Sequence, residues 1–226
     1  MISYRRAITR QAGADENRLD FRCRGMGSSM EPLEPWRIVV QVLMVGSTWV
    51  LCFVLRSPYI RIVGLCMAAM VAYGILQDQI TARFCPEYFT VGHQPIEGLH
   101  EPTLLGLAWG FLGSWWGGLF LGLALAGSSQ LGSKPPLKLG QLAMPLLVLI
   151  VSVGTIAALF GVGTASNANV LQVSIGEPWA SQIDPDRHRN MLVVANVHFG
   201  AYSSSILGSI VLCLWVARRR RQIETV

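Results

Sequence analysis

The chain has 226 residues, 52% of them hydrophobic and only 14% charged, where a soluble domain carries about 25% charged residues. The apolar residues gather in runs too long for the water-soluble core of one domain to hide. The formal charge of +5 does not point to nucleic acid, because much of the surplus is the run Arg218, Arg219, Arg220, Arg221 just past an apolar segment, the pattern of a cytoplasmic membrane face.

Residues 1–36 mix Arg5, Arg6, Arg10, Arg18, Arg22 and Arg24 with Asp15, Glu16, Asp20, Glu31 and Glu34, with almost no apolar periodicity. This composition predicts a disordered polar arm. It holds no apolar h-region of a cleavable signal peptide, and Met26 and Met30 are alternative starts. Five apolar segments follow, near 38–55, 62–80, 103–126, 139–162 and 191–216. A bilayer core needs about 20 helical residues, and lipid leaves backbone polar groups no partner outside the segment, so each is expected to be a helix. The expected fold is all-α, an integral membrane bundle of about five transmembrane helices over 37–217, with 218–226 a basic tail. Counting back from a cytoplasmic Arg218–Arg221 puts Arg56, Arg61, Lys134 and Lys138 on the same side, as the positive-inside rule prefers. Loops 81–102 and 163–190 then face the extracytoplasmic side. Arginine supplies every basic residue except Lys134 and Lys138, which suits a GC-rich bacterial genome and a bacterial inner membrane. The five cysteines form no C-x-x-C pair; Cys52, Cys66 and Cys213 lie in apolar runs as small hydrophobes, and no disulfide or zinc site is assigned to Cys23 or Cys85.

The third segment carries Gly106, Gly110, Gly113 and Gly117, with Gly118 and Gly122 as a further small-xxx-small pair. Residues three and four apart share a helix face, and a glycine stripe lets a second backbone approach closely in lipid. Packing is the expected role. Trp109, Trp115 and Trp116 in the same segment suit lipid or helix contact.

Most ionisable residues outside the tails lie in or beside the two longer loops. Asp78, with Gln79 and Thr81 beside it, sits near the membrane boundary, where a carboxylate is costly unless paired or hydrated. Arg83 could pair with it only if the helix loosens before Pro86. Glu87 and His93 add a second acid and an imidazole. These residues are either a polar site at the outer mouth of the bundle or a solvated interfacial loop anchored by Tyr88 and Phe89. Asp184 before Pro185 is a reasonable N-cap for the last helix. At 100° per residue, Arg187, Met191, His198, Tyr202 and Ser205 then share one face, while Asn196 points about 160° away from His198. His198 lies inside an apolar helix, which in a membrane favours a role over simple core packing. A metal would need at least three of Asp78, Glu87, His93, His188 and His198 to converge, at spacings that match neither H-E-x-x-H nor the Glu-x-x-His of di-iron bundles. No P-loop, G-x-G-x-x-G or G-x-S-x-G is present, Ser203–Ser205 have no acid partner at a known spacing, and no cofactor is assigned.

The stretch Tyr73-Gly74, Asp78-Gln79-Ile80, Arg83, then Glu87-Tyr88-Phe89-Thr90, Gly92-His93, then Pro102 to Gly110 resembles a family of small bacterial multi-pass membrane proteins, planctomycete members among them. Its signature reads Y-G-x-x-x-D-Q-I-x-x-R, E-Y-F-T-x-G-H and P-T-L-L-G-L-x-W-G. The resemblance covers residues 73–125, with an echo at His198 and Tyr202. It implies a membrane class and draws attention to this region, and it carries no activity.

Three functions remain open on the sequence. The first is a non-enzymatic membrane protein for transport, sensing or assembly, with Asp78, Gln79, Arg83, Glu87, His93, His198 and Tyr202 around an extracytoplasmic vestibule. The second is a membrane enzyme with a carboxylate–histidine site. The third is a structural subunit whose glycine stripe docks a partner helix. The implied partners are the bilayer and a membrane protein or second copy, and no nucleic acid.

Overall fold

Proline begins three of the bundle's helices, at Pro35, Pro58 and Pro102, where its missing N–H costs nothing and its fixed φ is already helical. In the computed structural model, which describes residues 31–55, 57–130, 132–166 and 175–222, α1 spans Pro35–Val54 and α2 Pro58–Phe84. The short α3 is Glu87–Thr90, α4 Pro102–Leu112 and α5 Trp115–Gln130. Then come α6, Leu139–Ala165, the short α7, Trp179–Gln182, a 3-10 turn at Pro185–Arg187, and α8, His188–Arg221. The expected segments on 1–30 and 223–226 lie outside the described residues.

Among the described residues, four helical stretches are long and apolar enough to cross a membrane: Pro58–Phe84, Pro102–Gln130, Leu139–Ala165 and Pro185–Arg221. The 20-residue α1 is about 30 Å long and runs beside them. It starts where Leu33 N–H donates to the Pro95 carbonyl at 2.8 Å. Large apolar side chains such as Leu43, Leu76, Ile80, Phe120, Leu147, Leu159, Ile206 and Val211 are exposed all round the bundle. Water would penalise so much contiguous apolar surface, whereas lipid solvates it. The protein is an all-α integral membrane bundle.

The fifth segment extends beyond its expected 191–216 to His188–Arg221, because polar residues at both ends remain helical without contributing hydropathy. The third segment differs more. Instead of running unbroken over 103–126, it divides at Gly113–Ser114, where the Ser114 N–H turns to the Phe111 carbonyl three residues back, at 3.2 Å. Gly/Ser pairs are where helices kink. The break shifts the helical register, and the packing face becomes Gly106 and Gly110 on α4 with Gly118 and Gly122 on α5. A Cβ on Gly110 would stand 2.5 Å from Ile75 Cα, and one on Gly118 2.6 Å from Met67 Cα. Gly113 and Gly117 leave the stripe, and a Cβ on Gly117 would meet nothing nearer than Met70 Cε at 3.8 Å. The stripe therefore packs α4 and α5 on α2 inside the chain, which turns Gly106, Gly110, Gly118 and Gly122 away from the partner helix of the third alternative.

The second tight pair is α6 with α8, where a Cβ on Gly200 would lie 3.2 Å from Ala157 Cα. The two groups meet over a core that includes Cys66, Leu121, Leu125, Leu142, Val153 and Val216. The bundle's two ends differ in charge. One carries Arg61, Lys134, Lys138 and Arg218–Arg221, and no Asp or Glu among its described residues. There the buried Arg220 donates from Nε to Pro135 O at 3.1 Å, from Nη1 to Ser128 O at 3.2 Å and from Nη2 to Lys134 O at 2.5 Å. The other end holds the acid- and histidine-containing loops.

Candidate functional site

Tyr73 and Gln77 are one turn apart on α2 and so share a face; the Tyr73 hydroxyl donates to Gln77 Oε1 at 2.5 Å. That bond turns the amide nitrogen toward α8, where Gln77 Nε2 lies 3.5 Å from His198 Nδ1. The other ring nitrogen, His198 Nε2, is 3.5 Å from Asp78 Oδ1. Asp78 and His198 are each only 5% exposed. The imidazole–carboxylate contact lacks hydrogen-bond geometry, and Nε2 has no hydrogen-bond partner. The contact is electrostatic and leaves both groups able to engage something else. Thr81 Oγ1 donates to Asp78 Oδ1 at 3.4 Å.

Asp78 is six residues from the end of α2 and His198 ten from the start of α8, depths of about 9 and 15 Å along the helices. Above them lies an aromatic layer. Tyr88 stacks on His198 with ring centroids 4.5 Å apart, and His93 lies 4.8 Å from Tyr88 and 4.7 Å from Trp109. Phe89 is fully buried beside them. An open vestibule on the loop side was expected; this layer covers the pair from that direction. The cavity that reaches the pair has a volume of about 490 Å³ and runs down the bundle between α2, α4–α5 and α8. No residue of 85–101 lines it. At its head are Tyr73, Gln77, Asp78, Trp109, Ser114, His198 and Tyr202; lower down are Trp116, Phe120, Ile206, Ile210 and Leu214. The lower residues are substantially exposed on the outer surface, so the cavity is a cleft open sideways, toward lipid.

Of the residues singled out in the sequence, Asp78, His198 and Tyr202 meet in this cleft. His93 touches it through Tyr88 and Trp109. Gln79 and Arg83 face elsewhere: Gln79 Nε2 donates to Thr103 O at 2.9 Å, and Arg83 donates to Gln79 Oε1 at 2.7 Å and Thr103 Oγ1 at 2.9 Å. Helix α2 stays intact through Phe84, so Arg83 does not turn back to Asp78. Glu87 accepts from Arg187 at both oxygens, 3.0 and 3.1 Å. His188 Nε2–H donates to Ile183 O at 2.9 Å, and Asn196 donates to Thr164 Oγ1 on α6 at 2.7 Å. Among the described residues no group of three or more His, Cys, Asp or Glu is placed to hold a metal ion. Sequence reasoning gave Tyr73, Gln77 and Ser114 no place in a site, and read Trp109 as a lipid or helix contact and Tyr88 as an interfacial anchor. The i, i+4 spacing of Tyr73 and Gln77 and the Gly113-Ser114 pair were the available signals.

Electrostatics in the loops is conventional. Partial burial of Glu87 opposes ionisation, but the Arg187 hydrogen bonds outweigh it and hold the carboxyl below its ordinary value. Burial lowers His93, partly offset by its Nδ1–H bond to the Tyr88 carbonyl. Burial pushes the Cys85 thiol up to about 12, which makes it a poor nucleophile. Since Glu87 titrates lower in the folded state than unfolded, the clamp's stabilisation is complete above the unfolded carboxyl value and is lost as pH falls through the folded one. The groups are about one-third exposed, so the expected loss is under about 1 kcal/mol. Thermal unfolding in detergent between pH 6 and 3 checks this: Glu87→Gln should flatten the acid limb, and an unchanged limb would assign it elsewhere.

No protein-family model, curated protein or solved structure matches this chain.

Proposed function

We propose that the protein binds a lipid-derived amphiphile within the membrane, received sideways into the cleft between α2, α4–α5 and α8. One observation carries this reading: a cleft with polar groups at one end continues as an apolar groove along the bundle and opens on the surface that faces lipid. Its 490 Å³ falls within the range of about 300–1,000 Å³ typical of small-ligand sites. From His198 to Leu214 the groove follows α8 for about 24 Å, and from Trp109 to Ala124 it follows α4–α5 for about 22 Å. A helix about 10 Å across displaces roughly 1,900 Å³ over that length, so a partner helix could insert only side chains. In this reading the protein belongs to the non-enzymatic class, sensing or carrying a lipid. We place it in a bacterial cytoplasmic membrane with the basic end in the cytoplasm, in line with the charge contrast between its ends and the family resemblance at Tyr73–Gly110.

The test uses the full chain in vesicles with a photoreactive single-chain alkyl probe. Cross-links should concentrate on cleft residues such as Ala124 and Ser209. Gly117→Phe, which fills the groove from a position with open space, should remove them without altering thermal stability. Labelling spread evenly over the outer face would overturn the reading.

A second reading, a membrane enzyme, is favoured by the buried Asp78–His198 pair at the head of the cleft, an acid and a base placed to exchange a proton with a bound ligand. It predicts chemical change of a bound amphiphile, which mass spectrometry after incubation would detect.

A further inference from the structure

The polar head of the cleft is specific enough to define the ligand's chemistry. We propose that the cleft takes a single-chain lipid alcohol, whose hydroxyl bridges His198 Nε2 and Asp78 Oδ1. This rests on the lipid-binding reading of the same cleft.

The argument begins with the proton on His198. Gln77 Oε1 accepts from Tyr73, so its amide N–H faces His198 Nδ1. Nδ1 is then the acceptor, and Nε2 carries the ring proton. That N–H is buried, faces Asp78 across 3.5 Å and makes no hydrogen bond. An oxygen placed about 2.8 Å from each of two atoms at that separation is in ordinary hydrogen-bond range of both, and it enters from the cleft as the side chains packed around the buried Nε2 give way. A hydroxyl has one donor and free lone pairs, so it can accept from Nε2–H and donate to the carboxylate at once.

Other head groups satisfy this pair less well. A carboxylate or phosphate would bury an anionic head group beside the Asp78 carboxyl, and no Lys or Arg lines the cleft. The nearby Arg83 and Arg187 are bonded to Gln79, Thr103 and Glu87. An anion without a counter-ion at membrane depth is strongly disfavoured. An ammonium would satisfy Asp78 but leave the His198 N–H unmet. A water could bridge the pair, but it would leave the apolar groove below without an occupant. The groove's single course along α8 suits one chain, straight or isoprenoid.

Binding of 1-hexadecanol, geranylgeraniol, hexadecylamine, palmitate and hexadecyl phosphate to the purified full chain, by native mass spectrometry in detergent, decides the matter. One of the two alcohols should bind at least about tenfold more tightly than either anion or the amine, a difference of about 1.4 kcal/mol. The better alcohol identifies the chain type. Asp78→Ala should abolish the preference; if that variant does not fold, His198→Gln provides the same comparison. Equal or tighter binding of palmitate, hexadecyl phosphate or hexadecylamine would overturn the hydroxyl assignment and leave the lipid-binding reading standing. Failure of every probe, in a protein that also shows no cleft labelling, would overturn both.

Discussion

Replacing Gly110 by alanine is expected to lower the thermal unfolding midpoint in detergent by roughly 4–8 °C, while Gly117→Ala leaves it within about 1 °C. The two positions look alike in the sequence, and the structure separates them. A methyl on Gly110 would lie 2.5 Å from Ile75 Cα and 2.6 Å from Ile75 N. Those are backbone atoms, so relief requires α4 to move off α2. Overpacking of this kind costs about 1–3 kcal/mol even against side chains that can yield. At Gly117 the same methyl enters the cleft. A Gly110→Ala protein as stable as the parent would show that α4 does not rest on α2 as described, and with it the placement of Ser114 and Trp109 at the head of the cleft would fail.

The second large effect is expected at Arg220. Its guanidinium is buried and donates to carbonyls of Ser128, Lys134 and Pro135. Ser128 lies in the last turn of α5, where carbonyls have no partner within the helix, and the other two belong to the connector to α6. Each charge-assisted bond contributes about 1.5–3 kcal/mol, and truncation removes all three together with the packing of the buried side chain. Arg220→Ala should therefore destabilise by about 3 kcal/mol or more, read as a lower unfolding midpoint and faster proteolysis of residues 131–138. Arg220→Lys should recover only part, because one ammonium cannot reach three divergent acceptors as a planar fork does. Full rescue by lysine would reduce the role of Arg220 to that of one more positive charge.

The membrane class was legible because lipid enforces it segment by segment: a run such as Leu139–Val162 has no other stable solvent. Asp78 and His198 were legible one at a time for the related reason that an ionisable group at depth is expensive. Their meeting was not, because 121 positions separate Gln77 from His198 and periodicity carries no information between helices. The glycine face was misassigned at Gly113 and Gly117 because a uniform helix was extrapolated through Gly113-Ser114, and one such break rotates every later residue. His93 was read as lining an open vestibule and Tyr88 as an interfacial anchor, since loops usually lie at the surface, but here the loop folds back and roofs the polar pair. Glu87 was grouped with Asp78 by closeness in sequence, and Arg187, far along the chain, captures it instead.

The order in which the walls are made has a consequence for biogenesis. Helices α2, α4 and α5 can pair through their glycine contacts as soon as they leave the insertion machinery, but α8, which supplies one full side of the cleft, is synthesised last. Until it docks on α6, the Asp78 carboxylate faces the lipid tails without its imidazole neighbour. The nascent bundle would then be a costly intermediate with its acid in contact with lipid, and the docking of α8 relieves that cost.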